Sequence, residues 1–185
     1  MIRKDTIPNQ QIGEEIIFHL RRHWFIFFKL FLLFVILLIV PAVLYFLMYN
    51  ILLGIMASAI GQPFITVLVF IYYLILLVFM FTVWTETYLD VWTVTSYRII
   101  NREQNGLFNR VVSELDLYRV QDVTAEQKGF FATILHYGDV YIQSAGAKER
   151  FVFEQISDPY RVAKIIQKLD ERAKKEFNSD RKIWL

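Results

Sequence analysis

The chain has 185 residues, a net charge of +2, 56 % hydrophobic residues and no cysteine. The missing cysteine excludes a disulfide framework and a cysteine metal site. From Glu86 onward, fifteen basic residues balance fifteen acidic ones, which argues against the one-signed basic face of a nucleic-acid binder.

The N-terminal tail, residues 1–23, holds Arg3, Lys4, Arg21 and Arg22. It is too polar, and the apolar segment behind it too long, for a cleaved signal peptide. Within it, Glu14 to Leu20 reads in two ways. It is either a strand with Ile16, Phe18 and Leu20 on one face, or an interfacial helix with Ile12, Ile16 and Leu20 stacked. The strand is the preferred expectation.

Residues 30–85 form 56 consecutive positions without Asp, Glu, Lys, Arg or His. About 20 apolar residues suffice to cross a bilayer, so the segment 24–85 predicts a two-helix transmembrane hairpin. The spans are expected at Trp24 to Met48 and Phe64 to Trp84. Asn50, Gly54, Gly61, Gln62 and Pro63 punctuate the connector. Arg21, Arg22 and Lys29 flank the first span and the connector has no basic residue. The positive-inside rule then places both termini in the cytoplasm, in a two-span protein of the cell membrane. Trp24 and Trp84 mark one interface and, with Arg21, Arg22 and Lys29, are the expected anchors. Lys29 suits snorkelling to the headgroups better than an ion path. Pro41 is expected to kink the first span.

After Glu86 the pattern turns to short strands rich in β-branched and aromatic residues. They are YLDVWTVTS, RIINREQ, RVVSELDL, VQDVTAEQ, DVYIQSAG and ERFVFEQ. Hairpin turns are expected at Asn105-Gly106 and Ala145-Gly146, and GFFATILHYG predicts one helical turn. A C-terminal helix follows, with Asp158 at its N-cap, Pro159 at its first position, and Val162, Ile166, Leu169, Ala173 and Phe177 on one stripe. Residues 178–185 form a charged tail.

No residue pattern carries catalysis, a cofactor or a metal. There is no phosphate-binding glycine loop. His19 and His23 are four apart, but their setting beside Arg21 and Arg22 points to lipid headgroups. His136 reads as structural. Ser96, Ser113, Ser144 and Ser157 have no evident histidine partner, and Asp116, Asp122 and Glu126 suit solvated strand faces and turns.

The stretch with Thr95, Arg98, Ile99–Ile100, Gly106-Leu107-Phe108, Arg110, Leu117, Arg119, Val120-Gln121-Asp122-Val123, Gly138-Asp139-Val140 and Ala145-Gly146 resembles the bacterial pleckstrin-homology-like family of small membrane proteins, over roughly residues 88 to 170. Gly13-Glu14-Glu15 and Arg22-His23-Trp24 are similar too. The resemblance implies an α+β domain at 86–177: a bent antiparallel β-barrel of six to seven strands capped by a C-terminal α-helix. Phosphoinositide binding needs several basic residues in the first turn, and Thr95-Ser96-Tyr97-Arg98 has one. Arg98, Arg102, Arg110 and Arg119 remain candidate headgroup or partner contacts; alternatively they pair with Glu114, Asp116 and Asp122. The expected function is a membrane-tethered, non-enzymatic interaction module that contacts membrane lipids and binds protein partners or itself. The alternatives are an anionic-lipid or envelope-stress sensor, or an accessory subunit of a transporter or enzyme complex.

Overall fold

The computed structural model describes residues 13–56, 58–144 and 151–183. The expected turn at Ala145-Gly146 and the tip Trp184-Leu185 lie outside them. The chain runs β1 (Ile16–Leu20), α1 (Trp24–Leu47), α2 (Tyr49–Met56), α3 (Gly61–Leu89), β2 (Val91–Thr95), β3 (Arg98–Asn105) and β4 (Asn109–Asp116). A short 3-10 turn (Leu117–Arg119) leads to β5 (Val120–Glu126), α4 (Phe130–Leu135), β6 (Tyr137–Ser144), β7 (Phe151–Ser157) and α5 (Pro159–Ile183).

Both α1, with 24 residues, and α3, with 29, are long and apolar enough to cross a membrane. At 1.5 Å per residue each exceeds a hydrocarbon core of about 30 Å. The connector continues as helix α2 before turning. Ser58 closes that turn, donating to the Ile55 carbonyl at 2.7 Å and accepting the Gly61 N–H at 2.9 Å. A Cβ on Gly61 would lie 2.0 Å from the Ile55 carbonyl oxygen, so only glycine fits there.

Pro41 sits inside α1. Proline has no N–H, so the carbonyl of Leu37 one turn back loses its intrahelical donor. The Tyr72 hydroxyl of α3 donates to that carbonyl at 2.7 Å, and Tyr73 reaches the Leu38 carbonyl at 3.2 Å. Phe34 and Phe79 meet edge to face below this contact, with ring centroids 6.3 Å apart.

α3 runs to Leu89, past the boundary expected after residue 85. The Asp90 N–H still bonds the Glu86 carbonyl, and the Glu86 side chain accepts the Gly106 N–H at 2.7 Å. Having found a partner in the turn between β3 and β4, the charged residue does not end the helix.

Among the described residues, seven strands form two antiparallel sheets, ordered β1-β2-β3-β4 and β5-β6-β7. The expected N-terminal strand is present as β1, paired to β2 with a bulge between Ile16 and Phe18. The bulge leaves Ile16 exposed while Phe18 and Leu20 pack on the core. Asn105 opens a turn of three residues rather than two, with Asn105 opposite Asn109, and Gly106 takes φ +75°. Asp158 starts α5 through its carbonyl, which accepts from Arg161 and Val162, and has φ +50° rather than an extended N-cap conformation.

The expected bent β-barrel does not close: no ladder joins β4 to β5 among the described residues. The 3-10 turn separates these strands because Leu117 is drawn fully into the core and its N–H bonds the Tyr97 carbonyl. α5 covers the free edge of β5 instead. Lys174 donates to the Val120 carbonyl at 2.7 Å and Gln167 to the Val123 carbonyl at 3.3 Å. On the opposite side the sheets do meet: Arg22 bridges to Ile156, and the His23 N–H donates to the Gln155 carbonyl at 2.7 Å.

Period-two alternation puts Trp92 and Val94 of β2 and Ile99 of β3 on the inner face. They pack with Leu115, Leu117, Val120, Val140, Ile142, Phe153 and Ile156. The predicted α5 stripe closes this core: Val162 and Ile166 are buried, Leu169 and Ala173 flank them, and Phe177 stacks on Tyr118 at 4.6 Å.

Candidate functional site

Two ion-pair clusters fix the N-terminal segment to the sheets. In the first, Arg22 just before α1 donates to Asp90 just after α3 from both Nε, at 3.2 Å, and Nη2, at 2.9 Å. Nη2 also reaches Glu154 of β7 at 2.7 Å, and Nη1 reaches Gln155 at 3.3 Å. The other Asp90 oxygen accepts the Gln104 N–H at 2.9 Å. Arg22 therefore ties both helix ends to both sheets.

The second cluster is buried. Arg98 grips Glu14 with Nε at 3.0 Å and Nη2 at 3.1 Å, a bidentate fork. Its Nη1 donates to Glu114, and Thr95 donates to Glu14 at 2.8 Å. The bonds to Glu14, foremost among the causes, raise the Arg98 pKa above its ordinary value. At 5 % and 4 % exposure, Arg98 and Glu14 are structural neighbours of β1 rather than surface groups.

His23, next to Arg22, stacks on Tyr137 at 5.2 Å and caps α1 by accepting the Phe25 N–H on Nδ1 at 3.2 Å. Burial pushes its pKa below the ordinary value, partly opposed by Asp158. The uncharged ring is the form that caps.

Beside Arg22 lies a cleft of about 350 Å³ lined by Glu86, Asp90, Glu103, Gln104 and Glu154, with Trp92 in its wall. Its carboxylates are largely engaged: Glu86 with Gly106, Asp90 with Arg22 and Gln104, and Glu103 with Asn101. No three His, Asp or Glu side chains form a metal-ligand group among the described residues.

The four candidate arginines do not form one site. Arg98 is buried and held by Glu14 and Glu114, which is the ion-paired alternative with one more partner than expected. Arg102, half-buried, and Arg110, exposed, lie diagonally on the face of β3 and β4 opposite the core. Arg119 is apart, on the 3-10 turn with its guanidinium 5.9 Å from the Tyr118 ring centre. Of the expected anchors, Arg22 directs its guanidinium to Asp90 and Glu154. Arg21 lies over Tyr88 at 5.4 Å, Lys29 lies 5.5 Å from both Phe25 and Tyr137, and Trp24 and Trp84 are exposed. Sequence reasoning missed the Arg22–Asp90 and Glu14–Arg98 pairs. Their partners are 68 and 84 residues apart, and the only sequence signal was charge next to apolar strands.

Among the described residues, β4 presents an open sheet edge. β4 is the outer strand of its sheet, and Val111 and Val112 on it are 39 % and 46 % exposed. Phe108, in the turn leading into it, is 98 % exposed. An unpaired strand edge can add a strand from another chain.

The family model described as "Bacterial PH domain" matches residues 23–170. Among solved structures, the chain is similar to the crystal structure of a DUF1696 family protein with a pleckstrin-homology domain from Shewanella loihica PV-4. The match has 18 % identity over 46 % of this chain and 70 % of that one, with a TM-score of 0.35. No curated protein matches. Two antiparallel sheets closed by a C-terminal helix, together with a family match over most of its length, place the chain in the bacterial PH domain family.

Proposed function

We propose that the protein is a membrane-tethered, non-enzymatic interaction module whose PH-like body stands on the cytoplasmic face and binds a protein partner along the β4 edge. The observation that carries this reading is the Arg22–Asp90 pair. It joins the segment entering α1 to the segment leaving α3, and both to the sheets. With α1 and α3 in a bilayer, the body is held at their shared end. Tethering raises its effective concentration for any partner in the same membrane. PH-like domains generally mediate protein or lipid contacts without catalysis. Burial of Arg98 weighs against a phosphate-reading cluster, whereas β4 leaves backbone groups and two valines available.

The natural lack of cysteine permits a clean topology test. A single cysteine at Asn50 should react with an impermeant maleimide from outside the cell, and one at Gln143 only after the membrane is opened; the reverse pattern sinks the orientation. A photo-crosslinking amino acid at Val111 in native membranes should yield one discrete adduct, lost when Val112→Glu is added. An adduct of twice the chain mass identifies self-association, and a different discrete mass identifies another subunit. No adduct from Val111 or Arg110 rejects the β4 edge.

A further inference from the structure

We infer that α4 is a third membrane contact, an apolar wedge lying in the headgroup–acyl boundary beside α1; this rests on the tethered reading proposed above. In the segment GFFATIL, Phe130, Phe131 and Ile134 point outward and are 73 %, 58 % and 54 % exposed. Ala132 and Leu135 face inward, packing with Ile26, Phe25 and Tyr137. This helix of six residues therefore packs Ala132 and Leu135 inward and displays Phe130, Phe131 and Ile134.

The position of that face decides its occupant. The Phe131 ring centre is 5.5 Å from that of Phe25, the second residue of α1. Phe25 in turn stacks on Phe28, and Trp24 and Phe28 are themselves 61 % and 49 % exposed. The patch on α4 is thus continuous with the apolar surface of α1. Lys29, four residues deeper, holds its ammonium 5.5 Å from Tyr137, two residues after α4. Four residues correspond to about 6 Å along a helix axis. This side of the body is consequently level with the first turn and a half of α1. When Trp24 sits among the headgroups, as tryptophan prefers, Phe130, Phe131 and Ile134 meet the upper acyl chains rather than water. Short apolar faces at this depth gain from burial of about 5–10 Å into the boundary. Lys128, 75 % exposed at its side chain and next to the wedge, pairs with Glu126 at 2.8 Å on the headgroup side.

Site-directed spin labelling of the full chain in phosphatidylcholine–phosphatidylglycerol vesicles tests this. Single labels go on Ile134 in α4, Leu77 in α3 and Gln143 in the sheet. Collision with oxygen reports lipid, and collision with a water-soluble nickel chelate reports water. The expected result is an oxygen-to-nickel accessibility ratio at Ile134 several-fold above that at Gln143 and below that at Leu77, reduced toward the Gln143 value by Phe130→Glu. If Leu77 favours oxygen while Ile134 matches Gln143, the wedge is overturned and the tether stands. If Ile134 is shielded from both reagents, another protein or copy covers α4 and the wedge is again overturned. If Leu77 favours nickel, the tethered reading falls and the wedge with it.

Discussion

The helical hairpin and the sheet body both carry many apolar side chains, but they dispose of them oppositely. The body turns fourteen residues into one buried core. Along α1 and α3 only Ile26, Phe34 and Leu76 are buried hydrophobics, and runs such as Leu32–Leu33 and Ile75 to Phe81 are largely exposed. A core supplies its own apolar surroundings. Side chains pointing away from two lone helices share no core, so what holds the helices together must be specific contacts.

The comparison is broken most directly by cavity formation. Phe153→Ala should cost about 3–5 kcal/mol of body stability, seen as a lowered urea midpoint in micelles. Leu77→Ala on the outer face of α3 should change it by less than about 0.5 kcal/mol. Equal losses would mean that the hairpin is packed like the body.

The buried ion pair comes next. Arg98→Met leaves the Glu14 carboxylate without its fork and should cost about 3 kcal/mol. The double variant Glu14→Gln with Arg98→Met should recover much of that loss, as an uncharged pair needs no partner charge. A double variant as unstable as the single one would reject this account of the pair.

A smaller effect sharpens the hairpin side. Tyr72→Phe removes the donor to the Leu37 carbonyl and should cost about 1 kcal/mol. In a Pro41→Ala background the new alanine N–H can serve that carbonyl, so Tyr72→Phe should then cost little. An unchanged cost in both backgrounds would show that Tyr72 acts elsewhere.

An effect of similar size sits at the joint. The folded-state pKa of His23 lies below its ordinary value of 6.5. Its contribution is therefore complete above about pH 6.5 and is lost as pH falls through the lowered folded value. Protonation takes away the Nδ1 acceptor of the α1 cap, worth about 1 kcal/mol. His23→Asn keeps a capping oxygen and cannot titrate in this range. Unfolding midpoints at pH 7.5 and 5 should thus diverge more for the native chain than for this variant; equal divergence removes His23 as the cause.

Much of the fold was legible because its signals are local. The α5 stripe from Val162 to Phe177, the α4 segment and the strand alternation each follow from a period of 3.6 or 2 within one stretch. The strand β1 was readable only as one of two options, since Ile16, Phe18 and Leu20 suit a strand while Ile12, Ile16 and Leu20 suit a helix. Thr93 and Thr95 in β2 decide between them by pairing with His19 and Ile16. The candidate site was far less legible. Arg98 looked like a surface cation because nothing near it in sequence shows that Glu14 will be folded against it.

By itself the sequence determined two apolar helices, a set of short strands, a capping helix and the family they belong to. The helices and strands depend on composition and periodicity, which act between neighbours along the chain, and the family on a resemblance of motifs. Only the tertiary structure decided that the sheets stay open between β4 and β5, that Arg22 and Arg98 are spent on internal carboxylates, and that α4 shows its phenylalanines beside the start of α1. Each of these depends on which groups satisfy or shield one another across dozens of residues, and pairing of that kind is set by packing in three dimensions.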